Sequence, residues 1–142
     1  MHFRSRSFFV AAILAASALF SADAELPEPV TSEYLRTTVA SFSVARKTHE
    51  VAYIIVYEVI KPIEERLQIR VEFENPVDPK EPLQIKTYLE PGQSTLAVES
   101  PVLPGIQNRH TYTVSLCAYS EKSNTLVFTH EQRIVFIMPP GI

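Results

Sequence analysis

The side chains able to do chemistry are few and far apart. Cys117 is the single cysteine, and His49, His110 and His130 are dispersed along the chain downstream of its N-terminal region. A hydrolytic triad needs a nucleophile, an imidazole and an orienting carboxylate that converge. No Gly-x-Ser-x-Gly elbow and no His-Glu-x-x-His helix motif supplies that convergence. A Cys117 dyad with His110 or His130 has no support from spacing. Structural zinc calls for clustered cysteine and histidine, and calcium loops call for several carboxylates at short spacing, whereas Asp78 is the only aspartate after residue 24. No cofactor and no metal is implied.

One carboxylate pair needs closer weighing. In "RLQIRVEFENPVDPKEPLQIKTYLE" (66–90), Glu72 and Glu74 lie two residues apart, so on a strand they project to one side roughly 7 Å apart. That approaches the separation of a glycosidase pair. The plainer reading is a solvated strand face, with Lys86 and the nearby Arg70 placed to pair with the glutamates across the sheet. A catalytic pair also needs a cleft, which a flat sheet face does not provide. The expectation is that these polar residues face water.

The elements that would position these residues read as strands, because apolar residues recur mostly with period two. In "YLRTTVASFSV", Leu35, Thr37 and Val39 share one phase and Phe42 and Val44 the other, which predicts a bulge near Ala40. "EVAYIIVYEVI" (50–60) is apolar on both faces, which suits a central strand. Leu67, Ile69, Val71 and Phe73 alternate with charge. After a proline-rich turn, Leu83, Ile85, Thr87 and Leu89 do the same. "STLAVES", "NRHTYTVSLCAYS" and "NTLVFTHEQRIVFIM" complete a set of about seven, the last two joined by a turn around Ser120 to Asn124. The fold class is all-β, an antiparallel two-sheet sandwich, with a small closed barrel as the alternative.

The N-terminal residues predict a destination. Arg4 and Arg6 precede an uncharged apolar run from Phe8 to Phe20, and Ala22-Asp23-Ala24 is a small-x-small cleavage site. Residues 1–24 therefore read as a signal peptide, 25–33 as an extended leader apart from the folded domain, 34–138 as the β-sandwich, and 139–142 as a C-terminal tail. The run is shorter than the roughly 20 apolar residues that span a bilayer, so no membrane span is expected after signal removal. The expected location is secreted or periplasmic. The chain carries 13 Lys+Arg against 16 Asp+Glu, a net charge of −3. A mildly acidic chain with scattered charges argues against nucleic acid as a partner. A lone Cys117 forms no internal disulfide, which leaves it buried or available for an intermolecular bridge.

Leu103-Pro104-Gly105 followed by Tyr112-Thr-Val-Ser-Leu-Cys-Ala118 resembles the E–F region of fibronectin type III and related immunoglobulin-like domains. The resemblance covers about twenty residues. It implies a sandwich fold and makes Tyr112 the tyrosine-corner residue, its hydroxyl bonded back to the loop backbone. Leu103 and Tyr112 are several residues further apart than the family pattern. There is no Trp, so the aromatic core anchor falls to Tyr53, Tyr57 or Phe73.

"RIVFIM" (133–138) is apolar on both faces at the end of the domain. Val135 and Ile137 then form a side left uncovered until another chain pairs with it. Cys117, on the outward phase of the neighbouring strand, joins them in one contact patch. The functional expectation is a non-enzymatic module that binds a protein partner or a copy of itself. The alternative is a carrier of an apolar small molecule in a cavity lined by Tyr53, Ile55, Phe73 and Phe128.

Overall fold

Seven segments of alternating or fully apolar sequence become strands, and the prolines and glycines between them become turns. The computed structural model describes residues 26–141; the expected signal peptide and its cleavage site lie outside the described residues. The strands are β1 (Leu35–Val44), β2 (Val51–Val59), β3 (Leu67–Phe73), β4 (Leu83–Leu89), β5 (Thr95–Glu99), β6 (Thr111–Ser120) and β7 (Leu126–Val135). They form a three-stranded sheet of order β1-β2-β5 and a four-stranded sheet of order β4-β3-β6-β7. Every pairing between them is antiparallel. The fold is thus a two-sheet sandwich.

The phases expected for β3 hold: Leu67, Ile69, Val71 and Phe73 are buried, while Glu72 is exposed. β2 is the central strand of its sheet: Val51, Ala52, Tyr53, Ile55 and Tyr57 are buried, and Ile54 and Val56, on its outer face, are half-buried. The bulge in β1 comes earlier than the sequence suggested. Register shifts between Thr37 and Val39, so Val39 turns outward and Ala40, Phe42 and Val44 turn inward opposite Ile55, Tyr53 and Val51. β7 ends at Val135, so Ile137 lies beyond the strand; Phe136 still completes a two-bond pair with the loop before β6.

Aromatic rings fill one end of the interior. Tyr53 stacks on Phe73 at 5.3 Å, lies 4.9 Å from Phe42 and meets Tyr112 edge-on at 6.3 Å, and Phe42 meets Phe136 edge-on at 5.0 Å. These rings come from both sheets, and they supply the anchor that a tryptophan would otherwise provide. The loop before β6 is fitted closely to its neighbour. Gly105 has φ +63°, and a Cβ there would stand 2.6 Å from the Val77 side chain.

Residues 26–31 run beside β1, with Thr31 bridging Arg36 in antiparallel fashion, before the chain turns at 32–34 into that strand. They run across the open flank of the sandwich between β1 and β7. Thr37 N–H donates to the Val30 carbonyl at 2.9 Å and Ser32 N–H to the Leu35 carbonyl at 2.8 Å.

Candidate functional site

The flank between β1 and β7 is where buried polar groups and a surface groove meet. Along β7 the inward phase is Phe128, His130, Gln132, Ile134, two of them polar and buried. Each must find partners in the interior.

Gln132 finds them in the leader. Its carboxamide oxygen accepts from Val30 N–H at 2.8 Å, and its nitrogen donates to the Glu28 carbonyl at 3.0 Å and the Arg133 carbonyl at 2.9 Å. Pro27 and Pro29 have no N–H, so the leader cannot form a regular ladder with β7. One carboxamide bridging the C=O of residue 28 and the N–H of residue 30 reproduces what a parallel strand would offer around Pro29. The side chain stands in for a backbone that the prolines exclude.

His130 is held by two hydroxyls. Its Nδ1 lies 2.6 Å from Ser32 Oγ and its Nε2 2.8 Å from Thr37 Oγ1, and Tyr57 meets the ring edge-on at 5.2 Å. Burial lowers its pKa from 6.5 to about 4, so the ring is neutral at pH 7. One tautomer satisfies the whole chain of bonds: Thr37 O–H donates to Nε2, Nδ1–H donates to Ser32 Oγ, and Ser32 O–H donates to the Leu35 carbonyl at 3.3 Å. Ser32 therefore accepts from the imidazole, the reverse of what nucleophile activation requires. This arrangement fastens the leader to the core.

Beside it an open groove of about 370 Å³ runs between β1 and β7. Leu26, Pro27 and Pro29 form one wall; Arg133, Val135 and Ile137 form part of the other. β7 is an edge strand with β6 as its one ladder neighbour. Val135 is half-buried and Ile137 is 54% exposed. Two of the three residues expected to form a contact patch are thus side by side at the groove.

Cys117 does not join them. It is half-buried on the outer face of β6, paired with Thr129 on β7, six residues from Val135 and hence about 20 Å along the strand. Glu131 and Arg133 lie between.

The glutamate pair is also separated. Glu72 is exposed and paired with Gln84, whereas Glu74 lies past the end of β3 and accepts the Thr113 N–H through Oε1 at 2.9 Å. The register opposes Lys86 to Arg70 rather than to either glutamate, which corrects the cross-strand ion pairs expected there. Tyr112 accepts a hydrogen bond from the Gln107 N–H at 2.9 Å, back into the loop ahead of its strand. Tyr53, Ile55 and Phe73, the lining expected for an apolar carrier, pack directly in the core, and Phe128 stacks on Tyr34 at 4.6 Å. No group of three potential metal-ligating side chains occurs among the described residues.

No family model matches the chain, and no curated protein matches it. Among solved structures it is similar to a β-glucuronidase of Bacteroides uniformis, at 15% identity and a TM-score of 0.43, over 72% of this chain and 13% of that one. A calcium-binding mutant of Bacteroides uniformis β-glucuronidase 2 gives 15% identity and 0.43, over 78% of this chain and 13% of that one. The chain therefore spans about an eighth of the length of those proteins.

Proposed function

We propose that this is an exported, non-enzymatic β-sandwich module of immunoglobulin or fibronectin III type, which works by binding a protein through the free side of β7. The observation that carries the proposal is the placement of Val135 and Ile137. Both line the groove: Val135 ends an edge strand whose outer side has no regular ladder partner among the described residues, and Ile137 follows just beyond it. Edge strands of this kind accept another extended segment, with main-chain bonds supplying affinity and side-chain pockets supplying selectivity. The partner is another protein or a second copy of this one. The finer fold assignment is supported by the Tyr112 bond to the loop. Export rests on residues 1–24 as a signal peptide, and the expected location is secreted or periplasmic.

The test compares the purified protein with Val135→Glu and Ile137→Asp. Light scattering across a concentration series reads self-association, and a non-reducing pull-down from the native extract reads partner capture. The expected outcome is an oligomer or captured protein that both substitutions abolish while the circular dichroism spectrum stays unchanged. A strictly monomeric protein whose captured species are identical for wild type and both variants would discard the proposal.

A further inference from the structure

The outer face of the four-stranded sheet carries a second arrangement, on β4, β3 and β6 and away from the β1–β7 groove. Rows across that face are set by the register. Tyr88, Gln68 and Tyr119 form one row, and Lys86, Arg70 and Cys117 form the next. Lys86 and Arg70 are cations directly opposite each other, about 5 Å apart at Cα. Like charges in that position are unfavourable unless something neutralises them. Three other cations make ion pairs: Arg36 meets Glu58, Lys61 meets Glu33, and Arg66 meets both Glu90 and Glu121. Arg70 and Lys86 make no ion pair among the described residues. The Arg70 guanidinium has one long hydrogen bond, Nη2 to Gln68 Oε1 at 3.5 Å, and its Nε is buried without an acceptor.

Arg66 and Arg70 lie against tyrosine rings. Arg66 Cζ lies 3.8 Å from the Tyr88 ring centroid, and Arg70 Cζ lies 4.6 Å from that of Tyr119. A guanidinium stacked on an aromatic ring is fixed in orientation and partly desolvated, which strengthens its hold on a carboxylate. Each of these rings carries an arginine over one face. The rings act as supports for cations.

We propose that the Arg70–Lys86 pair is a docking site for an acidic segment of a protein partner, gripping aspartate or glutamate carboxylates across the outer face of β3 and β4. The proposal shares with the proposed function the premise of protein binding, but it assigns a different surface. Charge complementarity supplies the occupant: two neighbouring cations without an ion pair among the described residues, with Glu72 in the next row engaged by Gln84 at 3.4 Å. The prediction has two arms of opposite sign. Lys86→Glu places a carboxylate opposite Arg70, which stabilises the unliganded protein and removes the site.

The probe is a fluorescein-labelled peptide of ten residues rich in glutamate, with its glutamine counterpart as control, followed by anisotropy at 50 mM and 300 mM salt. Binding is expected for the glutamate peptide alone, weakened by salt. It is expected to fall by roughly tenfold or more in Lys86→Glu and in Arg70→Gln. Lys86→Glu is expected to melt about 2–4 °C above wild type, and Val135→Glu to bind the peptide as wild type does. Four results would overturn the assignment: no binding of the glutamate peptide at 50 mM salt, equal binding of the glutamine peptide, binding of a polyuronate in place of the peptide, or loss of peptide binding in Val135→Glu. The first three outcomes leave untouched whether Val135 and Ile137 mediate association, and the fourth would move the peptide to that surface, so the two proposals fail separately.

Discussion

At position 130 an imidazole is buried, burial disfavours its charged form, and this fixes a pH dependence. The folded-state pKa is about 4, against 6.5 for an unperturbed histidine. Between those values the unfolded chain binds the proton and the folded chain does not, so stability rises with pH across that window. His130 therefore contributes fully above about pH 6.5, and its contribution is lost as pH falls toward 4, by up to roughly 3 kcal/mol. Urea unfolding at pH 7.0 and 4.5 should show that loss, and His130→Gln should flatten it. A wild-type stability that does not change between those pH values would refute the account. Tyr57, beside the same ring, makes a contrasting prediction. Its hydroxyl is buried with no hydrogen-bond partner among the described residues, a state that costs on the order of 1–3 kcal/mol. Tyr57→Phe should thus leave stability equal or raise it by up to about 1 kcal/mol, where most core substitutions lower it. Neither site was legible from local sequence. Ser32 and His130 are 98 residues apart, and nothing local shows that a proline-rich leader will supply a hydroxyl to a distant strand. A usable signal did exist in β7, since extending the phase of Phe128 and Ile134 places His130 and Gln132 in the core.

Among the elements, strands with clean alternation were legible and irregular ones were not. The phases of β3 and β4 follow from their own side chains, because each alternates a mainly apolar inner face with a mainly polar outer one. The bulge in β1 was misplaced because the stretch Thr37–Val39 offers small and β-branched residues that fit either face, so the partner strand decides the register. Two prolines and few large apolar residues make the leader read as an extended segment, and no local pattern shows that the Gln132 side chain will bind it. Gln132 is 1% exposed, so its substitutions test the clamp directly. Gln132→Leu removes the partner of the Val30 N–H and one partner of the Glu28 carbonyl, and should cost roughly 1–3 kcal/mol. Gln132→Glu should be worse, because a carboxylate can accept from Val30 but cannot donate to Glu28, and it buries a charge. Limited proteolysis followed by mass spectrometry should find cleavage near residues 26–32 much faster in both variants than in wild type. Equal cleavage rates would mean that the leader is held by something else.

Over the whole molecule, two sheets share one interior, and the aromatic cluster is where they are joined. Tyr53 of the three-stranded sheet is buried against Phe73 and Tyr112 of the four-stranded sheet, and its hydroxyl donates to the Glu74 carbonyl at 3.0 Å. The two-sheet architecture and the stand-in for a missing tryptophan were both readable from strand count and composition. Which edges would lie beside the leader was not, because that depends on how seven strands divide three to four. A shared aromatic anchor implies that neither sheet is stable alone, so unfolding should be a single cooperative transition. Tyr53→Ala leaves a cavity against both sheets and should cost about 3–5 kcal/mol, while Tyr53→Phe, which loses only the hydroxyl bond, should cost about 1 kcal/mol. Tyrosine fluorescence and far-ultraviolet circular dichroism should report the same denaturant midpoint in wild type and in both variants. If the midpoints separate in Tyr53→Ala, with part of the β signal surviving the loss of tyrosine burial, then the sheets stand independently and the anchor lies elsewhere.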